Sequence, residues 1–509
     1  MRWSVVLLIM PLLMTACSRS VTEERISPSK SNPGYWSYGG ETVLLIGGWD
    51  HGHNPFLDHS TIDGGGYEDT STEAEIIAAL DLLEASGGNL IRCVLDPGVG
   101  AGRQGFPFCA KVGDKFDLDT MEGPYWERLE FFLDATQRRG IVVGLEIWDR
   151  FDWYDGGHQG WQGSPFNPRN NINYTVESSG LAESYEGELD NSQNPFGQTT
   201  PGQRYYRNAD PELQAKLDML RSYQEQFMLR LLEVTLPYGN VLYSANNEVR
   251  HQEPVWGEYW LEFIRKEAKR QGVAVVCTDM FWDILDIPDS PGFDHLLANT
   301  DTYDYFDVSQ TSAHRGHQDL SVAEAGEVHW NKIRYAVGEG RKVNRILHMD
   351  KIYGSKDKVN GWMGSAENAV EEFWRSLIAG VAGVRFHRPD GGIGLSERAR
   401  NSLRAVRLVE EKVKFWEVEA RQDLLTDREP NEAYLAADPG QKYILFVPDG
   451  GKVGLQLDEH SATCFDITWV NVATGEVDSQ EHLHGGEVFD IEAPGNGPWV
   501  AILVSASTS

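Results

Sequence analysis

Carboxylates, histidines, arginines and tryptophans recur in this chain at the ends of short apolar runs. Trp49, Asp50, His51 and His53 follow one run. Arg92 lies within a second and Asp96 follows it; Trp148, Asp149 and Asp152 close a third, Asn247 and Glu248 a fourth, Asp279 and Trp282 a fifth. His314 and His317 follow a sixth, His348 and Asp350 a seventh, and Arg385, His387 and Arg388 an eighth. Carboxyl groups in pairs among aromatic rings are what glycosidic-bond cleavage needs: one protonates the leaving oxygen, and the other stabilises or captures the oxocarbenium-like centre. Glu248, directly after a run and behind Asn246 and Asn247, is the candidate acid/base, with a structural ion pair to Arg92 or Arg250 as its competing role. Asp350 is the candidate second carboxylate, and Glu339, Asp149 and Asp279 are its rivals. Candidate substrate contacts are Trp49, Asp50, His51, His53, Arg92, Trp148, Asp149, Asn247, Asp279, Trp282, His314, His348, Arg385 and His387. Indole rings suit stacking on sugar faces, although each is equally at home in a core.

Two other chemistries compete. His51 and His53 are two apart and His314 and His317 three apart, spacings a metal could use. Loop histidines more often hydrogen-bond ligand hydroxyls or carboxylates, so neither a metal nor any cofactor is expected. Arg92, Arg385 and Arg388 could read a carboxylated or sulfated sugar through bidentate contacts, or could neutralise an acidic mouth.

Something must bring these eight ends together. The runs Thr42–Gly48, Asn89–Leu95, Ile141–Trp148, Asn240–Asn246, Val273–Thr278, Tyr305–Ser309, Arg345–His348 and Gly383–His387 read as strands. Helical stretches follow at Thr72–Ala85, Tyr125–Arg139, Pro211–Leu236, Trp256–Gln271, Ala366–Ala379 and Ser396–Phe415, the first capped by Ser71. Strands and helices in series give an α/β fold, a (β/α)8 TIM barrel, whose strand C-termini form the functional face. The turn after the first strand, Gly48–His53, lacks the Gly-rich phosphate pattern of an open dinucleotide-binding sheet. The long aromatic insertion Trp153–Asp210 then becomes a wall of the mouth. After Trp416 the period changes to two, at Ala433–Ala437, Lys442–Val447, Cys464–Val470 and Pro498–Val504, which predicts a C-terminal antiparallel β-sandwich domain.

The 509 residues include 45 basic and 77 acidic side chains, for a formal charge of −32. Such a surface repels a polyanion, so no nucleic acid partner is expected. Apart from Cys17, four cysteines remain: Cys93, Cys109, Cys277 and Cys464. Buried free thiols are the default, and a Cys93–Cys109 bridge stays open.

The N-terminus, with Arg2, the apolar run Val5–Leu13 and then Met14-Thr15-Ala16-Cys17, resembles a bacterial lipoprotein signal. That resemblance implies cleavage before Cys17, lipidation of Cys17 and a membrane anchor at the cell envelope. Residues 1–16 are then a signal, 17–36 a polar tether, 37–418 the barrel and 425–506 the sandwich.

Leu242-Tyr243-Ser244-Ala245-Asn246-Asn247-Glu248 resembles the fourth-strand motif of clan A glycoside hydrolases. Arg345–Asp350 with Gly380–Val384 is similar to strands seven and eight of the apiosidase-like type. The tail, from Tyr434-Leu435-Ala436-Ala437 through Thr468-Trp469-Val470-Asn471 to Gly497-Pro498-Trp499-Val500, resembles the C-terminal β domain of that architecture named for collagen binding. The resemblance implies hydrolysis of a poly- or oligosaccharide by Glu248 and a strand-seven carboxylate. Relatives usually carry Glu there, one methylene longer than Asp350. A glycan-binding barrel without chemistry is the alternative.

Overall fold

The computed structural model describes residues 25–58, 70–95, 106–153, 160–185, 194–249, 254–311, 320–354, 364–389, 391–457 and 463–506. Cys17, Asp96, Arg250, His314 and His317 lie outside these.

Eight strands form the central sheet: β1 Leu45–Gly47, β2 Leu90–Val94, β3 Val142–Asp149, β4 Val241–Asn247, β5 Cys277–Thr278, β6 Tyr305–Asp307, β7 Ile346–Ile352 and β8 Gly383–Phe386. They are parallel and lie in sequence order, with β8 paired to β1. Between β5 and β6 the ring is joined by Asp304, whose backbone N donates to Cys277 O at 2.8 Å and whose carboxylate accepts from Cys277 N at 2.8 Å. A helix follows each strand: α1 Glu73–Ala85, α2 Pro124–Arg138, α3 Pro211–Thr235, α4 Val255–Gln271, α5 Pro291–Ala298, α6 Val322–Lys342, α7 Ala366–Ala379 and α8 Glu397–Glu410. This is the expected (β/α)8 architecture. Both β2 and β4 are buried at every position, so their polar members Arg92, Ser244, Asn246 and Asn247 must be hydrogen-bonded.

Three local features differ from the sequence reading. The cap of α1 is Thr72, whose hydroxyl accepts from Glu75 N while Glu75 accepts from Thr72 N; Ser71 instead donates to Asp58 O. Helices α5 and α6 were not anticipated. Pro291-Gly292 looks like a turn, and Gly326, Gly338 and Gly340 dilute the propensity of α6, although its Ser321/Glu324 capping box is legible. Residues 25–36 of the expected 17–36 polar tether belong instead to the folded unit, and the rest lies outside the described residues. From Arg25 the chain joins the barrel floor, where Ser27–Pro28, Trp36–Tyr38 and Glu41–Val43 form a small antiparallel sheet and Trp36 is wholly buried.

The C-terminal strands are β9 Tyr434–Asp438, β10 Lys442–Val447, β11 Lys452–Gln456, β12 Cys464–Asn471, β13 Glu476–His484, β14 Val488–Glu492 and β15 Trp499–Ser505. One sheet runs Glu419–Ala420, β9, β10, β15, β12, β13, and a smaller one runs Leu425–Thr426, β11, β14. Leu435, Leu445, Trp469 and Leu503 from the first meet Val453, Leu455 and Ile491 from the second, a sandwich core. The other face of the large sheet packs on the barrel, with Phe446 stacked on Trp374 of α7 at 5.7 Å. Tyr434, Ala436, Ile444, Phe446, Val470, Val500 and Ile502 on that face join the apolar core of the barrel, while the sandwich keeps a core of its own on the other. Among the described residues no helix is long and apolar enough to cross a membrane.

Candidate active site

Glu248 is the residue after β4 and takes a left-handed backbone, φ 55°. A non-glycine residue held there is strained, and such strain persists where surrounding contacts over-determine it. Three contacts do so here. Oε1 accepts from Lys351 Nζ at 2.7 Å and Gln310 Nε2 at 3.1 Å, and Oε2 lies 3.3 Å from Arg150 Nη2. The side chain keeps 12 % exposure, enough to meet solvent at the mouth.

The supports are themselves locked. Asn247 Oδ1 accepts from both Lys351 Nζ (2.7 Å) and Arg92 Nη2 (2.9 Å), and its amide also bonds the carboxyl of Asp149. Arg92 in turn grips Glu146 of β3 through Nε at 2.6 Å and Nη2 at 2.5 Å, both groups almost fully buried. Burial opposes the Arg92 charge, but Glu146 outweighs it and raises the pKa. Arg92, offered as a sugar contact, is thus committed to Glu146 and Asn247. Burial raises the Asp149 carboxyl despite hydrogen bonds from Phe151 N and Asn247, and the charge of Glu248 adds to the rise.

Lys351 reaches Glu248 because β7 bulges. Its register with β8 runs Met349↔Val384 and then Ile352↔Phe386, so Asp350 and Lys351 together oppose Arg385. Two residues facing one partner break the alternation of side chains. Both turn inward, at different depths. Asp350, expected to face Glu248, lies deeper: its Oδ1 is 3.5 Å from His348 Nδ1, and its Oδ2 sits by Gly144, 3.6 Å from where a Cβ would be. Burial would push Asp350 up, but His348, Arg385 and Arg92 outweigh it and hold it low. Asp307 is pushed up to about 8 by burial and then by Asp350. Two buried carboxyls that feel each other are split in this way. Burial and Arg92 lower Arg385 to about 9, and its Nη1 donates to Asp350 O at 2.7 Å.

His348 belongs to the lumen as well. Its Nε2 accepts from Trp36 Nε1 at 2.6 Å, which leaves Nδ1 on the side of Asp350. Gly383 leaves the space, since a Cβ there would lie 2.2 Å from the ring. His348, offered as a substrate contact, is buried between Trp36 and Asp350.

Other candidates are engaged locally. Asp279 accepts from Asn246 N and Nδ2 and from Met280 N, under the start of α4, and burial raises it to about 7. Trp256 Nε1 donates to Asn246 Oδ1 at 3.0 Å on the same side. Trp148 lies in an aromatic core with Trp153, Phe166, Phe227, Trp256 and Trp260. Trp49 is fully buried and edges onto His51, which Ser71 meets at 3.3 Å. Asp50 accepts from Leu395 N and pins the loop after β8, its carboxyl raised by burial. His53 backbone O accepts from Val94 N. Trp282 keeps partial exposure beside the bridge joining Val249 and Phe281. His387 lies against Tyr353 at 4.8 Å and accepts from Arg388 at 3.1 Å. Burial and then Arg388, Arg92, Arg385 and Lys351 hold its pKa well below the usual range, so it is neutral. Glu339 pairs with Lys342 on the outside of α6. Cys93 and Cys109 are buried free thiols.

The sequence reading missed Glu146, Arg150, Gln310 and Lys351. Glu146 was legible as a carboxylate inside an apolar run. Lys351 was hidden by the bulge, because strict alternation places it behind Asp350.

No known family profile matches the chain, and no curated protein is detectably similar in sequence. Solved structures share its fold. A glycoside hydrolase family 5 protein from Bacteroides vulgatus is 12% identical, with a TM-score of 0.60 over 95% of this chain and 94% of that one. A glycoside hydrolase is 11% identical, with a TM-score of 0.59 over 96% and 98%. The gamma-CGTase from alkalophilic Bacillus clarkii is 11% identical, with a TM-score of 0.54 over 95% and 72%. At these identities the likeness is one of fold, a TIM barrel, and residues must argue the chemistry.

Proposed function

We propose that the mouth of the barrel binds a carbohydrate and hydrolyses a glycosidic bond, with Glu248 as the central carboxylate. The observation that carries this is Glu248 itself: strained, partly exposed at the C-terminal end of a barrel strand, and held by Lys351, Gln310 and Arg150. The contacts from Lys351 and Arg150 fix the position of this carboxylate at the strand end. The second carboxyl is Asp149 in preference to Asp350, because a single amide, Asn247, joins it to this cluster. Asp350 is turned to His348 below. The cationic set around Glu248 favours a sugar bearing carboxylate or sulfate. The apiosidase-like likeness fits this reading, as do an anchor at Cys17 and a place at the cell envelope.

A second reading, glycan binding without cleavage, is favoured by Lys351, an ammonium standing where a second carboxylate was expected. A panel of neutral, uronate-bearing and sulfated oligosaccharides decides between them. Cleavage by the natural protein that Asp149→Asn abolishes and Asp350→Asn spares supports the assignment, and the reverse pattern moves the second role to Asp350. Binding with no cleavage of any glycan selects the second reading.

A further inference from the structure

Arg150 follows Asp149 and opens the short turn Arg150–Trp153 at the mouth end of β3. One of its nitrogens is in use: Nη2 lies 3.3 Å from Glu248 Oε2. Its Nε–H is buried and meets no hydrogen-bond acceptor among the described residues, although the side chain as a whole keeps 12% exposure. A buried donor left in that state costs about 1–3 kcal/mol, which a ligand that supplies the acceptor recovers. The same barrel shows what acceptor fits. Nε and Nη2 of Arg92 work together as a fork and donate to the two carboxylate oxygens of Glu146 at 2.6 and 2.5 Å. Arg150 presents that fork half filled, and the Phe151 ring, its centroid 4.4 Å from Cζ, limits how the guanidinium can turn. Glu248 does not fill it, because Lys351 and Gln310 hold its Oε1 and only Oε2 is turned to Arg150.

We propose that Arg150 makes the mouth selective for a uronic acid by binding the sugar's carboxylate through Nε and Nη2. This role rests on the mouth being a glycan site, and it narrows the anionic substituent from carboxylate or sulfate to carboxylate. A planar group with two oxygens copies Glu146 against Arg92, and a tetrahedral sulfate does not. The surroundings favour an anion too. The chain carries a formal charge of −32, yet after burial the groups that lower the pKa of His387, at the end of β8, are Arg388, Arg92, Arg385 and Lys351. Cations gathered in a cleft draw an anion in past an acidic exterior. Taking the sugar carboxylate loosens Nη2 from Glu248, which Lys351 and Gln310 continue to hold at Oε1. Positioning Glu248 uses one nitrogen of Arg150. It gives no reason for a buried Nε–H beside it.

The test reads binding and so needs no cleavage. Glucuronate, galacturonate and mannuronate, each beside its methyl ester, are titrated into the full chain and followed by ligand-observed NMR. At least one acid is expected to bind about tenfold or more tightly than its ester, the worth of one charge-assisted hydrogen bond. Arg150→Gln brings that acid and its ester to about equal affinity, and Arg150→Lys, which keeps the charge and loses the fork, restores only part of the preference. Circular dichroism checks that each variant is folded, and Arg150→Lys serves should Arg150→Gln not fold. No acid preferred over its ester, a preference unchanged in Arg150→Gln or whole in Arg150→Lys, or a sulfated sugar bound more tightly than every uronate overturns the role. If neutral glycans are still bound or cleaved in that case, the glycan site stands without it; if no sugar of any kind binds, both fall.

Discussion

Asn246 and Asn247 are neighbours in sequence and opposites in surroundings. Asn246 faces outward, where its amide and backbone N–H clamp Asp279 and its carbonyl takes the Trp256 indole; everything there is buried and tied to α4. Asn247 faces inward, where it links Arg92, Lys351 and Asp149 around the partly exposed Glu248. One side of the strand fastens the barrel to its jacket and the other holds charges in place. Polar residues at a strand end are therefore not of one kind, and the side they face decides what they do.

If the inner network is a held set of charges, breaking its deepest pair should cost most. Arg92→Met leaves Glu146 buried and uncompensated, and urea denaturation is expected to show a loss of about 3–5 kcal/mol. On the outer side the expected signature is pH. The folded pKa of Asp279, about 7, lies above an ordinary carboxyl near 3.9, so the folded state keeps a proton that the unfolded chain has lost between those values. Its contribution is full below about pH 4 and is lost as pH rises to 7, on the order of 4 kcal/mol at most. Asp279→Asn, neutral throughout, should lack that slope; a gap between the two proteins that stays flat from pH 4 to 8 would contradict it. Lys351→Met tests the inner side at the mouth itself, with kcat/KM on a cleaved glycan expected to fall about 10–100-fold, roughly 1.4–2.7 kcal/mol. Thr72→Ala, far from both sides, should lower stability by about 1 kcal/mol and leave kcat/KM unchanged.

The sequence reading found the eight strands because burial on both faces leaves uninterrupted apolar runs, and it found Glu248 because a strand end is a fixed address in a barrel. It could not find which way Trp148, Asp279 or His348 point. Direction depends on how β3 and β4 leave the sheet and on where β7 bulges, and neither leaves a mark in residue type. The bulge also exchanged roles: Asp350 went down to His348 and Lys351 came up to Glu248. The sandwich was read from four of its strands. The smaller sheet was missed because Gly454 and Asp490 interrupt the apolar residues of β11 and β14, which are five residues each.

The most direct test compares Glu248→Gln with Asp279→Asn, two carboxyls beside two adjacent asparagines, by kcat/KM on one glycan and by thermal melting. The inner and outer assignment predicts that Glu248→Gln loses on the order of a thousandfold in kcat/KM, about 4 kcal/mol, while melting as the natural protein does. Asp279→Asn should keep its activity and change only how stability depends on pH. Full activity in Glu248→Gln, or an equal loss in a folded Asp279→Asn, would contradict it.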